Sequence, residues 1–293
     1  MTMTKFSRYF LLAVIIIAGA SSCSKSGDAG GNTVNIAEKT MLNVAYGTDP
    51  LQKMDIYLPA NRQPDSTRVL VLIHGGGWTT GDKNDWASAI DTLKKRLPNY
   101  AIFNINYRLA SLPANNLFPT QETDVKAAVD FIYGNRADYV VSDKFVLLGA
   151  SAGGHLSLLE AYKHHTPVNI KAVVDFFGPT DMADMYNNPG AYSPLAIAAL
   201  LSGTPVSNPS MYQQSSPLTY VNSSSCPTII LQGGLDPLVN HVTQSEALRD
   251  KLTYFNIVNQ YVYYPLGDHG NWDAATYTDA YNKIQVFLNA NVH

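Results

Sequence analysis

The chain predicts an α/β fold built on a mostly parallel, doubly wound sheet with one small cap insertion. Three observations predict it. Apolar runs of strand length alternate with segments of helical periodicity from about residue 40 onward. Residues 69–73 are continuously apolar, as a strand covered on both faces must be. The 293 residues also suffice for one such domain with a large core.

The elements follow in order. Residues 41–46 and 52–58 read as two strands joined by the turn Gly47-Thr48-Asp49-Pro50. After the strand at 69–73, residues 84–97 have helical spacing, 101–107 form a strand and 120–133 an amphipathic helix. A strand at 145–148, a helix at 152–162 and a strand at 172–177 complete the first half. Residues 180–225 break the rhythm with Pro, Ser, Asn and Tyr, leaving one short helical stretch near 195–201. That segment is the expected cap, lying over the carboxyl ends of the strands where open sheets of this class bind ligands. Strand 228–231, helix 243–254, strand 260–264 and helix 274–288 then resume the alternation.

Net charge is −3 with 15% charged residues, which points away from nucleic acid or another polyanion as partner. The first residues read as a targeting segment. Lys5 and Arg8 precede an apolar run from Phe10 to Ala20, about half the ~20 residues of a spanning helix. Small residues then lead to Cys23. This resembles a bacterial lipoprotein signal, with Ala20 where leucine is usual. The resemblance implies cleavage after residue 22, acylation of Cys23, and export to the periplasm or cell surface with the anchor as the sole membrane contact. Simple secretion is the alternative. Residues 23–39 would be a tether of Ser, Gly, Asp and Asn, and 40–293 the folded domain. The other cysteine, Cys226, opens an apolar run and reads as a buried thiol.

Chemistry concentrates in four places. Gly149-Ala150-Ser151-Ala152-Gly153 has the G-x-S-x-G pattern of a nucleophile elbow, where strand turns sharply into helix and presents a serine. His74-Gly75-Gly76-Gly77-Trp78 follows a buried strand, so its backbone N–H groups can turn into a cavity. Gly76 and Gly77, with the amide of Ala152, are the candidate oxyanion donors. Of seven histidines, His269 lies in the loop after the last strand and is the candidate base. Asp236 follows the strand at 228–231 and is the candidate orienting acid. Asp268 adjoins His269 too closely to face it, Asp175 lies within a strand, and Asp181 reads as a helix cap. Trp78 and Tyr107 are candidate platforms for a sugar or aromatic acid. No Cys/His spacing suggests a metal site.

These motifs, together with Gly81-Asp82-Lys83, Asn106-Tyr107-Arg108-Leu109, Ser216-Pro217-Leu218 and Gly234-Leu235-Asp236-Pro237, resemble the α/β-hydrolases of the HGGG esterase/lipase group. The similarity is greatest to the branch of acetyl-xylan, feruloyl and carboxylesterases, with Ala150 where Asp or His often precedes the nucleophile. The resemblance implies a serine carboxylesterase working through Ser151, His269 and Asp236 without a cofactor. The polar insertion suits short-chain or carbohydrate-linked esters. The alternatives are a peptidase of the same fold and a non-catalytic glycan-binding lipoprotein.

Overall fold

The structure, a computed structural model, describes residues 35–293. The expected signal peptide, Cys23 and most of the expected tether lie outside the described residues. Among the described residues eight strands form a single sheet: β1 (Lys39–Ala45), β2 (Lys53–Leu58), β3 (Arg68–Ile73), β4 (Tyr100–Ile105), β5 (Phe145–Ala150), β6 (Ile170–Phe176), β7 (Thr228–Gly233) and β8 (Asn259–Tyr264). Their spatial order is β1-β2-β4-β3-β5-β6-β7-β8. Only the β1–β2 and β2–β4 pairs are antiparallel; every later pair is parallel. The sheet is therefore mostly parallel, as expected. All loops leaving the carboxyl ends of β3, β5, β7 and β8 emerge on one edge.

Among the described residues ten α-helices accompany it: α1 (Ala87–Arg96), α2 (Thr120–Gly134), α3 (Arg136–Tyr139), α4 (Ala152–Lys163), α5 (Met182–Asn187), α6 (Pro194–Leu200), α7 (Pro209–Gln214), α8 (Pro217–Tyr220), α9 (Ala247–Tyr254) and α10 (Ala274–Asn291). A 3-10 turn, Lys83–Trp86, leads into α1, and a π turn, His241–Glu246, leads into α9. The alternation of side chains along β3 divides the core in two. Val69, Val71 and Ile73 pack with Val125 and Val129 of α2, Leu156 and Leu159 of α4 and Leu252 of α9. Leu70 and Leu72 face the opposite side, with Ile90 and Leu93 of α1 and Ile284 and Leu288 of α10. Helices thus cover both faces, which explains why β3 carries no polar residue after Arg68. Among the described residues no helix is long and apolar enough to cross a membrane.

The insertion departs from expectation. Where one helical stretch near 195–201 was predicted, residues 180–225 fold as four short helices, α5 to α8. Proline occupies the first turn of α6, α7 and α8, where its fixed φ suits the helix and its missing N–H is no loss. The Asp181 side chain caps α5 by accepting from the amides of Ala183 and Asp184, and Ser193 caps α6.

Two polar clusters hold the approach to the site. The Lys83 ammonium pairs with the Asp55 carboxylate at 2.8 Å, both nearly buried, tying the loop after β3 to β2. The Lys83 amide donates to Asn106 and its carbonyl accepts from Asn104, at the end of β4. Arg108 donates two guanidinium nitrogens to the fully buried Asp124 of α2, the closer at 2.6 Å. The Gly-Asp-Lys and Asn-Tyr-Arg-Leu motifs are therefore framework. They hold the loops after β3 and β4 in register with their neighbours.

Candidate active site

Ser151 sits between β5 and α4 with φ 54° and ψ −121°, a left-handed backbone that few non-glycine residues adopt. Its amide donates to the Phe176 carbonyl at 2.8 Å, and its carbonyl accepts from the His155 amide at 3.0 Å. The flanking glycines are steric requirements. A Cβ on Gly149 would strike the Gly153 carbonyl, and one on Gly153 would strike the carbonyls of Ile73 and His74. Strand and helix can pass this closely only without side chains there.

The loops after β7 and β8 bring the other two residues to the serine. The Leu235 amide donates to Gly267 and the Gly234 amide to Tyr264, both at 2.8 Å, so the loops are stitched together. His269 Nε2 lies 2.8 Å from Ser151 Oγ, and His269 Nδ1 lies 2.7 Å from Asp236 Oδ2. The Asp236 carboxylate is almost fully buried and is held from behind. Its Oδ1 accepts the amides of Leu238 and Val239 at 2.8 and 2.9 Å, and Oδ2 also accepts from Gln232 at 3.1 Å. These donors offset the cost of burying an ionised carboxylate. The predicted residues Ser151, His269 and Asp236 thus meet in one hydrogen-bonded chain. Asp268 does not join it: its Oδ1 accepts the Asn271 amide.

The glycine loop arrives from β3. Gly76 and Gly77 have φ of 102° and 56°, which turn their backbone away from the strand. The amides of Gly76, Gly77 and Ala152 find no acceptor among the described residues. They remain available as donors. Gly75 stands close against the serine, since a Cβ there would come within 3.3 Å of Ser151 Cβ.

Trp78 and Tyr107 take a different role from the expected one. They are 1% and 0% exposed, so neither ring offers a face to a sugar. Tyr107 stacks on the His74 imidazole at 4.2 Å and donates to the carbonyls of His74 and Gly75. The Trp78 indole N–H donates to His155 Nδ1 at 3.1 Å. An indole nitrogen can only donate, so Nδ1 accepts, and Nε2 carries the proton that goes to the Ser215 carbonyl at 2.7 Å. Both aromatics brace the glycine loop, and His155 ties that loop to the cap.

Two side chains of the site had no signal in the sequence. Phe177 follows β6 with φ 44° and places its ring 4.6 Å from the His269 ring. Tyr192 reaches from the cap to donate to the Gly77 carbonyl at 3.2 Å. Burial leaves Cys226 an inert thiol, its pKa pushed up to about 12. No group of three or more His, Cys, Asp and Glu among the described residues is placed to hold a metal ion.

Comparison with known proteins gives this geometry a family. The BD-FAE family pattern matches residues 54–252, a span that includes the glycine loop, the elbow and Asp236. The esterase LipQ of Mycobacterium tuberculosis is 29% identical over 206 residues, covering 66% of this chain and 47% of its own. The chain spans about half the length of the curated relatives it matches. Among solved structures, a bifunctional GH43-CE protein of Bacteroides eggerthii is similar with TM-score 0.73 at 28% identity, over 86% of this chain and 38% of its own. A truncated carbohydrate esterase from gut microbiota reaches TM-score 0.73 at 25% identity, over 86% of this chain and 95% of its own. The chain therefore belongs to the BD-FAE family, a family of α/β-hydrolase esterases.

Proposed function

We propose that the protein is a serine carboxylesterase that cleaves short-chain or carbohydrate-linked esters through an acyl-enzyme. The observation that carries this reading is the unbroken chain from Ser151 Oγ through His269 to the buried Asp236. Asp236 accepts a hydrogen bond from the Nδ1–H of His269, which leaves the Nε2 lone pair facing the serine hydroxyl. His269 Nε2 takes the proton of the Ser151 hydroxyl as Oγ forms its bond to the ester carbonyl carbon. The carbonyl oxygen becomes an oxyanion, received by the amides of Gly76, Gly77 and Ala152. The last of these opens α4, whose dipole favours negative charge at that end. Collapse breaks the bond to the alcohol oxygen, which leaves with the proton from Nε2. Water then repeats the sequence on the acyl-serine and releases the acid.

Two points support the carbohydrate-linked part. The insertion presents Tyr, Asn, Ser and Pro in place of an apolar lid, and one similar structure is a carbohydrate esterase from gut microbiota. Hydrolysis of p-nitrophenyl acetate, butyrate and octanoate tests the reading. Wild type should act on the short esters, and Ser151→Ala should lose that activity. Equal rates for both proteins would remove the esterase assignment. We also propose export with acylation at Cys23, in which case Cys23→Ala should move the protein from the membrane to the soluble fraction of fractionated cells.

A further inference from the structure

A cavity of about 210 Å³ is walled by residues that flank Ser151 and His269 and by none of residues 180–225. Its walls include Gly75 and Ala150, beside the nucleophile, and Phe177 and Gly270, beside the base. We infer that this cavity is the subsite for the leaving alcohol, and that Asp85 on its wall accepts a hydroxyl of a small cyclic polyol. The assignment rests on the esterase reading above.

Position decides which half of the ester enters. The alcohol oxygen must lie within hydrogen-bond reach of His269 Nε2, because that atom supplies the proton with which it leaves. A group carried on this oxygen is therefore directed past His269. There it meets Phe177, whose ring lies 4.6 Å from the imidazole, and Gly270, the next residue in the chain. Phe177 is held in this place against its own backbone preference, since φ is 44° for a bulky residue. Gly270 makes room for it: at φ 90°, a Cβ there would come within 2.9 Å of the Phe177 ring. Tyr277 closes the wall by donating its hydroxyl to the Gly270 carbonyl. Phe177 and Gly270 from two separate loops and Tyr277 from α10 thus shape the same small space.

The chemistry of the walls selects the occupant. The space is smaller than the ~300 Å³ at which drug-sized pockets begin, and so suits one ring. Trp86, Phe177 and Tyr277 supply flat apolar faces. Asp85 supplies the carboxylate. One of its oxygens accepts the Asp82 amide at 3.1 Å, and the other has no partner among the described residues. An aliphatic alcohol would strip water from that oxygen with nothing in return. A ring with an apolar face and hydroxyls at its edge satisfies both kinds of wall.

Esters that share an acetyl group and differ in alcohol separate the possibilities. We would compare kcat/KM for a monoacetylated methyl xyloside, ethyl acetate and acetylcholine in wild type, Asp85→Asn and Ala150→Leu. Asp85→Asn keeps an acceptor for the Asp82 amide and turns the free acceptor into a donor. Ala150→Leu fills the cavity. The expected result is a ratio of xyloside to ethyl ester that falls at least tenfold in both variants, with far-ultraviolet circular dichroism unchanged. Serine-dependent hydrolysis of ethyl acetate with the same ratio in all three proteins would overturn the subsite and leave the esterase reading intact. Preference for acetylcholine, lost in Asp85→Asn, would overturn the polyol and show a cation site instead. Hydrolysis of none of the three by wild type would overturn both readings.

Discussion

His155→Phe should flatten the dependence of stability on pH. The imidazole is completely buried, and burial, against the opposing effect of its hydrogen bond to Ser215, lowers its pKa from 6.5 to about 4. The folded protein therefore keeps it neutral between those values, while the unfolded chain takes up a proton there. Stability must fall as pH drops through that window. At ~1.4 kcal/mol per pKa unit, the loss reaches about 2 kcal/mol at pH 5 and about 3 kcal/mol at pH 4. Phenylalanine has no proton to bind. At pH 7.5 the variant should be the less stable protein, since the Trp78 indole N–H and the Ser215 carbonyl lose their partner. Each such group costs roughly 1–3 kcal/mol. Urea unfolding of both proteins at pH 5, 6, 7 and 7.5 measures the gap between them. Titrations common to both cancel in that difference, with Glu122 and Lys163 the charged groups nearest the ring. The gap should narrow by about 2 kcal/mol from pH 7.5 to pH 5. Parallel curves would refute the neutral, doubly bonded imidazole.

Four further outcomes are expected. Gly153→Ala should lower Tm by several degrees and esterase activity with it, because its Cβ meets two backbone carbonyls that cannot swing aside; overpacking of this kind costs ~1–3 kcal/mol, and an unaltered Tm would show slack at the elbow. Asp175 is fully buried, one oxygen bonded to the Gly178 amide and the other unpartnered, and burial pushes its pKa up to about 8. The fold then holds a proton that the unfolded chain releases above ~4, so this residue erodes stability as pH rises toward 8. Asp175→Asn should accordingly gain Tm on wild type between pH 5 and pH 8, and the opposite slope would contradict a neutral carboxyl. Lys83→Ala leaves the Asp55 carboxylate buried without its counter-charge and should cost ~3–5 kcal/mol in urea unfolding, partly restored by Asp55→Asn in the same chain. Tyr107→Phe removes about 1 kcal/mol of hydrogen bonding to the glycine loop and should lower kcat about fivefold at constant KM; a change confined to KM for sugar esters would reinstate Tyr107 as a substrate platform.

Much of this architecture was legible because burial on two faces leaves a plain mark. β3 is apolar from Val69 to Ile73 and β7 from Ile229 to Leu231, and the glycines of the elbow are dictated by backbone contact alone. Asp236 and His269 were accessible for a similar reason: each follows a strand whose carboxyl end points to the same edge. What escaped reading depends on torsions and on burial that composition does not encode. Nothing in the run Phe176-Phe177-Gly178 announces that Phe177 turns to a positive φ and lies against His269. Trp78 and Tyr107 look alike whether they line a pocket or support its wall, and only their burial decides. Within the cap only α6 was expected; α5, α7 and α8 were masked by their composition, although Asn208-Pro209 and Ser216-Pro217 each carry a polar residue before a first-turn proline.

The bond from the Tyr192 hydroxyl to the Gly77 carbonyl has a bearing on how such proteins can be recombined. Together with the Ala191 amide on Pro237 and the Ser215 carbonyl on His155, it fastens residues 180–225 to the glycine loop, to the loop that carries Asp236 and to helix α4. That segment is not an interchangeable module. A chimera that imports a relative's cap without a phenol at position 192 would leave the Gly77 peptide without its tether and free to rotate. Selectivity and turnover would then change together, and a library that varies the cap should hold Tyr192, Ala191 and Ser215 constant to vary one without the other.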